Sequence, residues 1–179
     1  MTETGFALFD TAIGCCAIAW TAAGICDVQL PEDSPQRTRA ALVRRYGDSA
    51  EIEPPAPARA VIDGIVALFR GEPVDFAEVA LDPAGVPEFN QRVYQVARTI
   101  AAGSTLCYGD IAVRIGRPGS ARAVGRALGD NPYPILVPCH RVLAADGSMH
   151  GFSAPGGIAT KRRMLQIEGA LPADEPTLF

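Results

Sequence analysis

The run Asn131-Pro132-Tyr133-Pro134-Ile135-Leu136-Val137-Pro138-Cys139-His140-Arg141-Val142 constrains this chain more than any other stretch. Asn-Pro is a turn signal, and the apolar residues that follow it are predicted to form a buried strand. Pro138 then fixes the backbone directly before a thiol and an imidazole. A pair at the end of a buried strand is held rigidly yet stays reachable. A free thiol titrates near ~8.5 and is mostly protonated at neutral pH, and a neighbouring base can turn it into a thiolate nucleophile. A lone cysteine is more often a small buried hydrophobe. The flanking Pro138 and His140-Arg141-Val142 shift the weight to chemistry.

Length and composition set the frame. The chain has 179 residues, 48% of them apolar, enough for a core in one large domain or two small ones. No run approaches the ~20 apolar residues of a membrane span. Met1-Thr2-Glu3-Thr4 has no basic segment leading into an apolar run, so no signal peptide is expected. Cys15, Cys16, Cys26, Cys107 and Cys139 are odd in number and irregular in spacing. That argues against a disulfide framework and for a reducing cytoplasm. Cys15, Cys16 and Cys26 lack Cys-x-x-Cys spacing and the second histidine is His150, so no metal site is expected. These cysteines read as core residues; Cys107 is adjacent to Tyr108, and a packed thiol is the favoured reading for it over a functional one.

The formal net charge of −4 looks wrong for a nucleic-acid-binding protein, but its distribution removes the objection. Residues 1–87 carry −7, residues 88–170 carry +5 and residues 171–179 carry −2. Phosphate binding depends on local positive charge, so the basic half can meet DNA inside an acidic chain. Chance asymmetry in an ordinary globular protein is the competing reading, and charge alone does not choose between them.

The pattern predicts a mixed α/β (α+β) fold in two parts, 1–82 and 88–170, joined through 83–87 and followed by a loose tail, 171–179. In the first part Ile13 to Leu30 reads as a hairpin, and Arg37 to Tyr46 has helical spacing. Pro54 to Pro57 is a break. Ala60 to Arg70 reads as a helix stopped by Gly71, and Val79 to Leu81 as a further strand. The second part reads as mostly helical: Phe89 to Ala101, then Tyr108 to Gly116, then Ala121 to Leu128 with Ser120 as N-cap. The last two helices, around Arg117-Pro118-Gly119, resemble a helix-turn-helix.

Taken together and in order, these pieces resemble the O6-alkylguanine-DNA alkyltransferases, the methylated-DNA–protein-cysteine methyltransferases. The resemblance is strong from Phe89 to Gly169. It is weaker from Ile13 to Pro87, where Ile18-Ala19-Trp20 and Val28-Gln29-Leu30-Pro31 look like the family's small ribonuclease-H-like N-terminal domain. It implies single-use, cofactor-free DNA repair: an alkyl group leaves guanine O6, with O4-alkylthymine a further candidate substrate, and stays on Cys139. His140 would act as base through water, oriented by Glu168 in Leu165-Gln166-Ile167-Glu168-Gly169. Asn131 would brace the turn. Tyr108 would hydrogen-bond guanine N3, the Val142 carbonyl would accept from the exocyclic amine, and Ser153 would contact O6. In Gly151-Phe152-Ser153-Ala154-Pro155-Gly156-Gly157, Phe152 stands where a tyrosine is frequent, and Ala154-Pro155 lengthens the lid.

Within Ser120-Ala121-Arg122-Ala123-Val124-Gly125, small residues would let the helix approach the minor groove of double-stranded DNA while Arg122 fills the space of an extruded base. Arg117 and Arg141 are counted with this DNA-binding set. A monomer is expected. Read without the resemblance, Arg122 is a solvated side chain, Glu168 a helix-end acid and Tyr108 a core aromatic. Two other classes stay open on the residues alone. One is a Cys-His-Glu acyl hydrolase, which would turn over. The other is a DNA-binding module without chemistry. Phosphate contact makes a direct forecast: affinity for DNA should fall linearly in log–log terms with salt, by about 0.9 per phosphate contacted. A flat salt response, measured by titration at several salt concentrations, would contradict it.

Overall fold

The computed structural model describes residues 3–149 and 151–174. The chain opens with a three-stranded antiparallel meander, β1 (Gly5–Thr11), β2 (Gly14–Thr21) and β3 (Gly24–Gln29), in sequential order. The predicted hairpin is β2–β3, paired Ile18 to Val28, with a register shift at Ala19/Trp20. β1 went unread because Phe6 to Phe9 is a short apolar run without alternation.

The continuous apolar run of β2 has a direct cause: both of its faces are covered. Ala17 and Ala19, with Phe6, pack against Ala41 and Leu42 of α1 (Pro35–Tyr46). Cys16, Ile18 and Trp20 face the larger core with Ile65 and Leu68 of α2 (Ala56–Phe69). Helix α1 begins where Ser34 Oγ accepts from the Arg37 N–H at 3.3 Å, with a proline in the first turn. The Pro54–Pro57 break is the start of α2, since Pro57 lies in the first turn, where its missing N–H costs nothing. Val61, Ile65, Leu68 and Phe69 are buried on one face, as their spacing predicts. Residues 79–81 form no strand. Only Leu81 bridges to Ile25, with Ile25 N–H donating to Ala80 O at 2.9 Å.

The second part holds α3 (Glu88–Ala97), β4 (Leu106–Cys107), α4 (Tyr108–Arg114), α5 (Ala121–Gly129), β5 (Val142–Leu143) and α6 (Gly157–Ile167). β4 and β5 form a two-residue parallel pair, Leu106 to Val142 and Cys107 to Leu143. Helix α3 stops earlier than its apolar spacing suggests, capped by Arg98, and Ile100 is buried from the turn beyond it. Ser120 does occupy the N-cap of α5, but its side chain makes no capping bond and Gly129 falls inside the helix. Helix α5 packs on α4 and α3, and Tyr94 Oη donates to Ala127 O at 2.7 Å. The larger core runs without interruption from Ile18 and Trp20 to Val93, Ile111 and Val137, so both parts share it. His150 and residues 175–179, the end of the expected loose tail, lie outside the described residues. No helix among the described residues is long and apolar enough to cross a membrane.

The expected strand at 135–137 is absent. Pro132, Pro134 and Pro138 cannot donate to a ladder. The chain instead turns, with Val137 N–H donating to Tyr133 O at 2.8 Å. The turn carries Ile135 at φ 78°, a left-handed conformation that a β-branched residue avoids. It survives because its neighbours over-determine it. Asn131 Oδ1 accepts from Tyr133 N–H and Asn131 Nδ2 donates to Val137 O, both at 2.9 Å. Val28 N–H, on the free edge of β3, donates to Pro132 O at 2.9 Å, and Tyr133 Oη donates to Asp82 O.

Candidate active site

Cys139 opens a single 3-10 turn, Cys139–Arg141, directly after the strained segment. It is buried, 9% exposed, and lines a cavity of about 570 Å³. Burial pushes its thiol up from the usual range, against a hydrogen bond from Asn131 and the nearby charge of Lys161. The thiol is therefore protonated at rest, and its proton must go to a base when it reacts.

The next residue in the chain is an imidazole. His140 is fully buried, and its Nε2 lies 2.8 Å from Glu168 Oε1. Glu168 caps the C-terminus of α6, where an acid opposes the helix dipole and needs a partner. It has two. Arg141 Nε donates to Oε2 and Arg141 Nη2 to Oε1, each at 2.9 Å, while Arg141 Nη1 donates to Ile100 O at 2.6 Å. Burial alone would raise the Glu168 carboxyl, but His140 and Arg141 more than offset it and hold it down to about 2. Burial likewise lowers His140, and the carboxylate only partly restores it. The imidazole is thus neutral at pH 7. Its Nε2–H donates to the carboxylate, which leaves Nδ1 as the basic nitrogen. Nδ1 is buried with no hydrogen-bond partner among the described residues.

Arg141, expected among the DNA contacts, is corrected here. It is 4% exposed and its fork is spent on Glu168 and Ile100, so it cannot reach phosphate. The bidentate pairing is what arginine geometry favours for a carboxylate.

The other expected residues surround this centre. Tyr108, the first residue of α4, has its hydroxyl pushed up by burial and then by the charge of Cys139. Its ring lies against Gly125 of α5, where an added Cβ would meet Tyr108 Cε1 at 3.7 Å. The Val142 carbonyl is engaged, accepting from Lys161 Nζ at 2.7 Å. Phe152 and Ser153 line the cavity with Cys139. Ser153 Oγ donates to Gly129 O at 3.0 Å, pinning the lid to the end of α5. On α5 and the turn before it, Arg117, Arg122, Ala123 and Arg126 are exposed, as is Arg114 at the end of α4, while Ser120, Ala121 and Gly125 are half-buried.

Lys161 is the site residue that sequence reading missed. It is 1% exposed, sits 5.8 Å from the Phe152 ring centroid, and exerts its charge on Cys139. Its signal was positional: Lys161, Met164, Leu165 and Glu168 share one helical face, so a lysine fell where the core stripe calls for an apolar residue.

A thiol beside an imidazole that a carboxylate orients defines the class of cysteine-nucleophile proteins, here with an exposed arginine-bearing helix close by. Comparison with known proteins narrows the class. The family model described as 6-O-methylguanine DNA methyltransferase, DNA binding domain, matches residues 88–170. The methylated-DNA–protein-cysteine methyltransferase of Mycobacterium leprae is 36% identical over 170 residues, 95% of each chain. That of Mycobacterium tuberculosis H37Rv is 45% identical over 125 residues, 70% of this chain and 73% of the relative. The crystal structure of Mycobacterium tuberculosis OGT in complex with DNA superposes with a TM-score of 0.74 at 38% identity, covering 93% of both chains. The O6-methylguanine-DNA methyltransferase of Pyrococcus kodakaraensis gives a TM-score of 0.66 at 29% identity, covering 92% of this chain and 99% of that one. This chain belongs to the methylated-DNA–protein-cysteine methyltransferase family.

The buried network fixes an acid dependence of stability. Glu168 is depressed in the fold, so its contribution is complete above the unfolded carboxylate value of ~4.3 and is lost as pH falls towards 2. His140 is depressed too, so below ~6.5 the unfolded imidazole takes a proton that the folded one refuses, and stability falls there as well. Glu168→Gln should cost about 3–5 kcal/mol at pH 7 and flatten the decline below pH ~4.3. Denaturant melts across pH check both, and parallel pH profiles for the two proteins would contradict the reading.

Proposed function

We propose that this chain repairs O6-alkylguanine in DNA by direct reversal, moving the alkyl group onto Cys139 once per molecule. The observation that carries the reading is the neutral His140, held by Glu168 through Nε2 with Nδ1 unpartnered among the described residues, one residue from a buried thiol. The thiol proton passes to His140, by way of water. The sulfur attacks the alkyl carbon, the S–C bond forms as the C–O6 bond breaks, and guanine leaves with the bonding pair. Glu168 stabilises the imidazolium that results. Tyr108, kept protonated by burial, donates to guanine N3 and makes the base a better leaving group. Lys161 lends positive charge to the sulfur as it ionises. The thioether product does not hydrolyse, so the protein is consumed.

Reaching a base in a duplex requires extruding it. We assign that work to the helix-turn-helix of α4 and α5 in the minor groove, with Arg122 entering the space of the base and Arg117 meeting phosphate. Ser120, Ala121, Ala123 and Gly125 keep the helix slim enough to approach. Phe152 walls the guanine pocket, and Ser153 and Val142 face its polar edge. In this reading residues 88–170 carry DNA and chemistry, and residues 1–82 brace the reactive turn. The protein acts as a monomer in a reducing cytoplasm, where its cysteines stay free.

Intact-protein mass spectrometry after mixing with an O6-methylguanine duplex should show one added methyl at Cys139, never more, and none in Cys139→Ser. Lesion binding without a mass change would point to recognition without repair, and repeated turnover to a hydrolase. Arg122→Ala should slow repair of duplex DNA at least tenfold more than reaction with free O6-benzylguanine. Equal losses would remove Arg122 from base extrusion.

A further inference from the structure

The reactive turn borders two cavities. Pro134 and Cys139 line the one already described, while Ile135, Leu136 and Pro138 line a second of about 510 Å³. The two share no lining residue, and none of Tyr108, Val142, Phe152 or Ser153 lines the second. This second cavity lies between residues 73–77 of the first part, the turn beyond α3 and the segment that carries Cys139. Val74, Phe76, Ile100, Ile135 and Leu136 make its wall largely apolar, and Arg98 and Arg141 stand in it. Ile135 is the residue held at φ 78°.

The two arginines differ. Arg141 is neutralised by Glu168, 2.9 Å away. Arg98 forms no ion pair among the described residues. Its Nη2 donates to Phe76 O at 2.6 Å and to Val79 O at 2.7 Å, and its Nε is buried with no partner among the described residues. A guanidinium has five N–H groups, so both of those on Nη1 are uncommitted among the described residues. Burial pulls the Arg98 guanidinium down from its ordinary value, and the charges of Asp75 and Glu78 only partly restore it. It stays protonated all the same. Asp75 also lines the cavity, but it is exposed to water, and its Oδ1 accepts from the Ala77 N–H at 2.9 Å. A half-buried cation without a counter-ion, set in an apolar wall, is costly alone and favours an anion that brings its own apolar body.

We propose that this second cavity is a binding site for a small monocarboxylate with an apolar body, such as a medium-chain or arylalkyl carboxylate. The carboxylate accepts from Arg98 Nη1, and the body packs on Ile135, Leu136 and Pro138. A volume of about 510 Å³ lies in the ~300–1,000 Å³ range of small-molecule sites. A second negative charge would meet Asp75 and is disfavoured. The site touches the segment that carries Cys139 but none of the residues assigned to guanine, so its ligand acts on the turn without displacing the base. A ligand that binds the folded turn stabilises it. By linkage, a change at Cys139 then alters affinity at this site. That last consequence rests on the alkyl transfer proposed above.

Calorimetric titration with sodium octanoate tests the site, with octylamine and octan-1-ol as cationic and neutral probes of the same length. Octanoate should bind tightest of the three and raise the melting temperature. Its amide chemical-shift changes should centre on Ile100, Ala101, Ile135 and Leu136. Arg98→Gln should weaken octanoate roughly ten- to a hundredfold, the value of one charge-assisted hydrogen bond. Ala101→Phe fills the cavity and leaves Arg98 in place, so it should weaken binding even where Arg98→Gln loosens the fold. No binding of octanoate, equal binding of octylamine or octan-1-ol, shifts centred on α5, or an affinity unchanged by both variants would overturn the site. Protein carrying a methyl group on Cys139 should bind octanoate with a Kd changed about fivefold or more, and equal affinities would overturn the coupling. Failure of methyl transfer itself would remove the underlying reaction and leave octanoate binding standing.

Discussion

One carboxylate governs the reactive centre. Glu168 has no exposed side-chain surface, and it binds His140 on one oxygen while Arg141 grips both. A buried acid without such partners would pick up a proton and cease to orient anything. With them it stays ionised, fixes the imidazole tautomer and anchors the 3-10 turn to the end of α6. The same carboxylate therefore sets structure and chemistry: it holds the turn that presents Cys139, and it makes Nδ1 the basic nitrogen. Removing Arg141 would leave an uncompensated charge in the core.

The turn itself is a strained object. Ile135 sits at φ 78° because three prolines deny the segment a ladder, and Asn131, Val28, Tyr133 and Val137 together lock what remains. Two of those locks reach the first part of the chain, through the β3 edge and the Asp82 carbonyl. The small meander is thus a platform for the reactive turn as well as a wall of its cavity. Strain of this kind clusters at functional sites, where the surroundings over-determine it.

Much of this was legible in the residues. The helices announced themselves by period, as Val61, Ile65 and Leu68 show, and the β2–β3 hairpin by its apolar runs around a glycine turn. Cys139 and His140 stood out as a thiol–imidazole pair directly after Pro138, whereas Asn131 and Glu168 drew attention only through the family resemblance. What failed had physical reasons. An apolar run between prolines looks like a strand until its missing donors are counted. An arginine in a basic half looks like a phosphate contact until a buried carboxylate 27 residues away claims it. Lys161 was passed over although it stands on the core stripe of α6, because its partner, the Val142 carbonyl, is supplied from across the fold.

The tautomer of His140 tests the central claim most directly. With 15N-labelled histidine and a His150→Gln variant to assign the two rings, NMR at pH 7 reads the protonation of each imidazole nitrogen. The network requires a neutral ring with hydrogen on Nε2 and a bare Nδ1, and a shift of that state in Glu168→Gln. A ring carrying its hydrogen on Nδ1, or an imidazolium at pH 7, would contradict the assignment of His140 as the base for Cys139.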